Sequence, residues 1–157
     1  MRRRYLSLGL GELASAFLFL VVASNLTVTR LGAGRDALAV WSALVPLLVV
    51  LVQAGAYWLL ARDWVGRAPM PAATARLYRT FRVGDVVLLA AGLVGVLTWW
   101  PERSGIGVLA VGIWFFGVVE YANYFVVRLS YPLRRWFASV TTWRTPRLVQ
   151  DLAAAQR

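Results

Sequence analysis

Four apolar stretches, each about as long as a membrane is thick, alternate with short polar segments along this chain. A spanning helix needs about 20 predominantly apolar residues, and the pattern predicts such helices over 6–27, 37–61, 83–100 and 106–128. The first connection, TRLGAGRD, holds two glycines and reads as a tight turn, with Asp36 placed to cap the second helix. The third, PERSG, is bounded by the helix breakers Pro101 and Gly105. Neither is long enough to be a domain. The expectation is therefore one polytopic domain over 1–157, an all-α integral membrane protein built as a four-transmembrane-helix bundle.

The second connection, 62–82, is longer and opens on the Pro-Met-Pro break at 69–71. Beyond it Ala73, Leu77 and Phe81 recur at four-residue spacing with Arg76, Arg79 and Arg82 alongside. That spacing predicts a short amphipathic helix lying in the interface. The tail, 129–157, reads as a second interfacial anchor, with Trp136, Val140 and Trp143 at helical spacing among arginines. Pro146 either ends that helix or begins another. Small residues in the third and fourth spans, including Gly92, Gly95, Gly107, Gly112 and Gly117, would let helices approach closely. Pro46 is expected to kink the second span and free a backbone carbonyl near Ser42, a kink that serves shape rather than gating.

Composition agrees with a bilayer solvent: 60% of residues are hydrophobic and only 15% charged, too apolar for an ordinary soluble domain. Cysteine and histidine are both absent. That removes thiolate nucleophiles, disulfides, the usual zinc sites and every Ser-His or Cys-His arrangement, and no cofactor is called for. The net charge of +10 comes wholly from arginine. Such a balance could suggest nucleic acid, but the placement of the arginines argues for a membrane instead. Of 17, 14 flank the first span's start, fill the second connection or follow the fourth span, and only Arg30, Arg35 and Arg103 lie on the other side. This positive-inside bias puts both termini in the cytoplasm, and the arginine-only, alanine- and glycine-rich usage resembles that of GC-rich bacteria. The expected home is a bacterial cytoplasmic membrane. The expected partners are the bilayer and its anionic headgroups, gripped by Arg76, Arg79, Arg134, Arg135, Arg144 and Arg147, with no nucleic acid.

Aromatic residues cluster at the predicted span ends, Trp41, Trp99 and Trp100 on one side and Tyr57, Trp58, Trp64, Tyr131, Trp136 and Trp143 on the other, as headgroup-level anchors should. The MRRR start and VVASN segment resemble a cleavable signal peptide, but Glu12 interrupts the apolar region, and losing the first span would oppose the arginine bias.

Against this background the chemistry that stands out is a polar level inside the membrane. Glu12 lies eight residues past Arg4 and Glu120 eight before Arg128, so each sits about 12 Å inside the same boundary. Gln53, nine residues before Arg62, shares the level, and Asn123 and Tyr124 lie one turn nearer the boundary. A charged group at mid-membrane costs about 2.5–3.5 kcal/mol on insertion scales, so these side chains should face inward and converge. A protonated glutamate can donate a hydrogen bond to Gln53 or Asn123; an ionised one needs a cation or water. Arg82, Asp85 and Arg128 form a separate candidate charge site, with Asp85 close enough to the interface to be hydrated.

No motif specifies a reaction. The leading expectation is a structural, assembly or partner-binding bundle with a buried polar layer, its partner a second copy or another membrane protein. A second reading makes Glu12 and Glu120 the loading site of a proton- or cation-coupled transporter or channel. A third, the weakest, is an interfacial lipid-modifying enzyme using Asp85, Glu120 and Tyr124 with arginines as phosphate grips.

Overall fold

The computed structural model describes residues 2–65, 67–127 and 145–155. Four long helices are present: α1 over Arg2–Leu26, α2 over Arg35–Trp64, α3 over Ala72–Thr98 and α4 over Ser104–Phe125. All four are long and apolar enough to cross a membrane, and the described residues contain no strand. A short fifth helix, α5, covers Arg147–Ala154. Arg128, Arg134, Arg135 and Arg144, together with Tyr131, Trp136, Val140 and Trp143, lie outside the described residues.

The hub is α2. Of its most apolar window 56% is inside the protein, against 17–22% for the other three helices, so the others surround it and turn their remaining surface outward. That outer surface carries exposed Phe17, Leu18, Val87, Val94, Val108 and Phe115, a composition suited to an apolar solvent. Helix α1 packs on one side of α2, while α3 and α4 pack on others and touch each other; α1 and α4 barely meet.

Close approach explains how one helix holds three neighbours. Gly9 and Gly55 face each other where α1 crosses α2: a Cβ on Gly55 would lie 2.8 Å from Leu13 Cγ and 3.1 Å from the Gly9 carbonyl oxygen. On another side, a Cβ on Gly92 would lie 2.7 Å from both the Pro46 ring and the Ser42 carbonyl oxygen. The carbonyl that Pro46 frees thus faces a close approach of α3, and α2 runs on as one helix through the proline. Gly117 does similar work against Leu47 and Leu89, whereas a Cβ at Gly112 would meet nothing within 4 Å, so that glycine is not a packing residue.

Helix ends differ from expectation in three places. Asp36 does not cap α2, since Gly34 holds the cap position without a side-chain bond. Asp36 sits in the first turn instead, accepts the Glu102 N–H at 3.0 Å and pairs with Arg103 at 3.4 Å, tying the first connection to the third. The first connection itself begins with a π-helical turn, Thr27–Leu31, closed by the Gly32 N–H donating to the Thr27 carbonyl at 2.9 Å, with Gly32 at φ 66°. Finally, the amphipathic segment of the second connection is not a separate helix: α3 starts at Ala72 and runs unbroken into the third span, because no proline separates Arg82 from the apolar run and the lone Gly84 is tolerated within a helix. Its buried face is Ala75, Tyr78, Asp85, Leu89, Gly92 and Val96, not the Ala73–Leu77–Phe81 stripe: Leu77 is 49% exposed.

The tail also departs from the interfacial reading where it is described. Pro146 opens α5, whose Leu148 and Leu152 are buried in a cluster with Tyr57, Trp64, Met70, Ala75, Tyr78 and Tyr124. At least this part of the tail is docked on the bundle.

Candidate functional site

Between α1 and α4, which both lean on α2 without closing on each other, lies a cleft of about 340 Å³. It is lined by Ser7, Leu8, Gly11, Glu12, Ser15 and Phe19 from α1, Leu51 from α2, and Phe116 and Glu120 from α4. Ser7, Leu8, Gly11 and Phe116 are exposed, so the cleft opens on the outer side of the bundle. Side chains of the two helices meet at its ends. Towards one end the rings of Phe19 and Phe116 lie 5.9 Å apart. Towards the other the Tyr124 hydroxyl donates to Glu12 Oε1 at 2.5 Å, and accepts from Trp58 Nε1 at 3.0 Å. Trp58 in turn stacks on Tyr5 at 5.4 Å, so the Glu12 end is fixed by a chain of side chains from three helices.

Helical geometry explains who takes part. Glu120 and Tyr124 are one turn apart on α4, so both reach the same side, and Asn123 hydrogen-bonds Glu120 from the intervening position. Among the residues expected to converge, Glu12, Glu120, Asn123 and Tyr124 do gather there. Gln53 does not. Leu51 floors the cleft, and two residues on, at about 100° per residue, Gln53 points round to the opposite side of α2. There its Nε2 donates to Asp85 Oδ1 at 3.0 Å. The single polar level of the sequence reading is therefore two sites on either side of one helix.

Asp85 is a second correction. It is 2% exposed, not open to water, because it sits on the buried face of α3 against Gln53 of α2. It does not join Arg82, whose side chain is exposed and whose backbone carbonyl accepts from the Tyr121 hydroxyl at 3.0 Å. Arg82 and Asp85 thus do not pair, and Arg128, the third member of that candidate site, lies outside the described residues.

Of the arginines read as headgroup ligands, Arg76 is exposed. Arg79 is half-buried and donates to the Leu152 carbonyl at 3.4 Å. Arg147 pairs with Asp151 at 3.0 Å. Asp151 is a residue the sequence reading missed. It is 6% exposed and accepts from the Tyr57 hydroxyl at 2.9 Å and from Trp64 Nε1 at 3.2 Å. Tyr57 and Trp64 are accordingly buried anchors for α5, not members of an aromatic belt. The signal was available in part: Tyr57 and Trp64 are seven residues apart on one face of α2, and Asp151 sits between the apolar pair Leu148 and Leu152.

The cleft has acceptors for positive charge and hydroxyls at its edge. No described group of three or more acidic side chains stands close enough together to hold a metal ion. What the arrangement offers chemically is recognition of a cationic group, or carriage of protons, within an apolar wall. No protein-family model, curated protein or solved structure matches this chain.

Proposed function

We propose that this chain is a multi-pass, partner-binding membrane protein that takes a monovalent lipophilic cation, free or as part of a partner, into the cleft between α1 and α4. The observation carrying this reading is that Glu12 and Glu120 line one open cleft instead of being sealed by packing. Two carboxylates presented towards hydrocarbon are costly unless positive charge or water meets them. No arginine is among the lining residues. Phe19 and Phe116 supply ring surface that suits an organic cation, and a two-carboxylate set without a third acid suits single positive charge better than a divalent ion. The volume is at the small end of ligand pockets. The arginine distribution supports both termini in the cytoplasm, and the composition supports a bacterial cytoplasmic membrane.

Tetraphenylphosphonium is a suitable probe. Purified protein is expected to bind it, with Glu120→Gln and Glu12→Gln each weakening binding about tenfold or more, or about 1.4 kcal/mol. Equal binding by the parent and both variants would overturn the reading. A second reading, proton- or cation-coupled transport, is favoured by one specific observation: Glu12 and Glu120 share one open cleft, where protons and a cation can compete for the same carboxylates. It predicts that vesicles containing the protein move protons when the probe is added, and that Glu120→Gln abolishes the flux. Binding without flux would leave the partner-binding reading alone.

A further inference from the structure

On the far side of α2 from the cleft, Asp85 and Gln53 form a second polar site. Asp85 is almost fully buried and belongs to the inward face of α3, between Tyr78 and Leu89. Its Oδ1 accepts from Gln53 Nε2, but the other oxygens of the same two side chains, Asp85 Oδ2 and Gln53 Oε1, are both buried and both without a hydrogen-bond partner. Gln53 is held from its backbone as well, its carbonyl accepting the Tyr78 hydroxyl at 2.9 Å.

Among the described residues no cation pairs with Asp85. The ion pairs among the described residues are Asp36–Arg103 and Arg147–Asp151. On α3, Tyr78 gives its hydroxyl to Gln53, and Arg82 is exposed. On α2, Tyr57 packs edge-on against Tyr78 but gives its hydroxyl to Asp151. On α4, Tyr121 gives its hydroxyl to the Arg82 carbonyl. Two buried acceptors on one bonded pair have each lost water without replacement. An acid and an amide together can make two donations and two acceptances if the acid keeps its hydrogen.

We propose that Asp85 is a proton-binding site: Oδ2 carries a hydrogen donated to Gln53 Oε1, and with the existing N–H···O bond this closes a ring in which acid and amide each donate once and accept once. The two terminal torsions, which are broad, are the ones that would turn to align the second bond. One proton taken from water onto Oδ2 cancels one negative charge, and no other reactant is needed. Loss of that proton sets acceptor against acceptor and leaves a charge between α2 and α3, so proton occupancy is linked to how tightly these two helices pack. The alternative occupant of two such oxygens is a monovalent inorganic cation such as sodium.

Asp85→Asn separates the two, because asparagine supplies an N–H where the acid hydrogen stood and keeps the acceptor, but it cannot neutralise a metal ion. The full-length Asp85→Asn protein in detergent is expected to melt within about 2 °C of the parent, and Asp85→Ala about 5 °C or more below it. Replacing sodium by choline should leave the parent's melting unchanged. The parent's infrared spectrum at neutral pH should show a carboxylic-acid carbonyl band that is missing in Asp85→Asn and retained in Glu12→Gln. The proposal is overturned if Asp85→Asn falls as far as Asp85→Ala or fails to fold, if melting tracks sodium, or if no acid band is lost.

Discussion

Tyr124 uses its hydroxyl twice, donating to Glu12 and accepting from Trp58, so it joins α4 to α1 and α2 at one atom. Interhelical hydrogen bonds in bilayers contribute about 0.6 kcal/mol on average and up to about 1.7. Tyr124→Phe should therefore destabilise the protein by about 1–2 kcal/mol, measured by unfolding in mixed micelles. In a double-mutant cycle with Glu12→Leu, which removes the acceptor, the two changes should couple by about 0.6–1.7 kcal/mol, and strict additivity would show that the short contact contributes nothing. At this scale the sequence revealed depth but not direction. Counting along each helix gives Glu12, Gln53 and Glu120 one depth, yet Gln53 belongs to another site because its angle around α2 depends on which face that helix gives to which neighbour. Tyr57 and Trp64 were misread for a related reason: an amphipathic ring at a helix end suits a headgroup or a buried acceptor equally, and the acceptor, Asp151, is 94 residues from Tyr57 in the chain.

The four helices themselves were legible because a bilayer-length apolar run is a strong signal that needs no tertiary information. Their packing faces were not. The buried stripe of α3 contains an aspartate and a glycine, which no hydrophobic pattern would choose, while Val83, Val86, Val87 and Val94 are exposed. The glycines give this a test. At Gly92 a methyl group would meet the Pro46 ring and a backbone carbonyl, neither of which can swing aside. Gly92→Ala should cost about 1–3 kcal/mol through overpacking. Gly112→Ala, in open space, should be neutral or gain up to about 1 kcal/mol from helix propensity. Thermal unfolding of the two variants side by side checks this, and equal effects would mean that α3 does not approach α2 as closely as Ser42 and Pro46 indicate.

Across the whole molecule, the start of α1, the end of α2, the start of α3 and the end of α4 come together at one end of the bundle, where Tyr5 stacks on Trp58 and α5 docks. The docking of α5 rests on a few contacts with unequal weight. Leu148 and Leu152 bury apolar area, but Asp151 decides whether the helix fits: its carboxylate receives a phenol and an indole N–H, and Arg147 balances its charge one turn away. Hydrogen bonds to a charged group contribute about 1.5–3 kcal/mol each, and removing the acceptor strands two buried donors. An eight-residue helix has little stability of its own, so its structure depends on this seat. Asp151→Ala should release α5 while leaving α1 to α4 folded. Limited proteolysis should then cut within 147–154 about tenfold faster or more, as a loss of about 1.4 kcal/mol or greater requires. Tryptophan emission should shift to the red as Trp64 loses its cover, and helical content should fall by little more than two turns. Asp151→Asn keeps an acceptor for both donors and gives up only the charge, so it should lie between the parent and Asp151→Ala. If cleavage is equally slow in all three, the apolar pair alone holds α5, and the buried carboxylate must be explained by something other than docking.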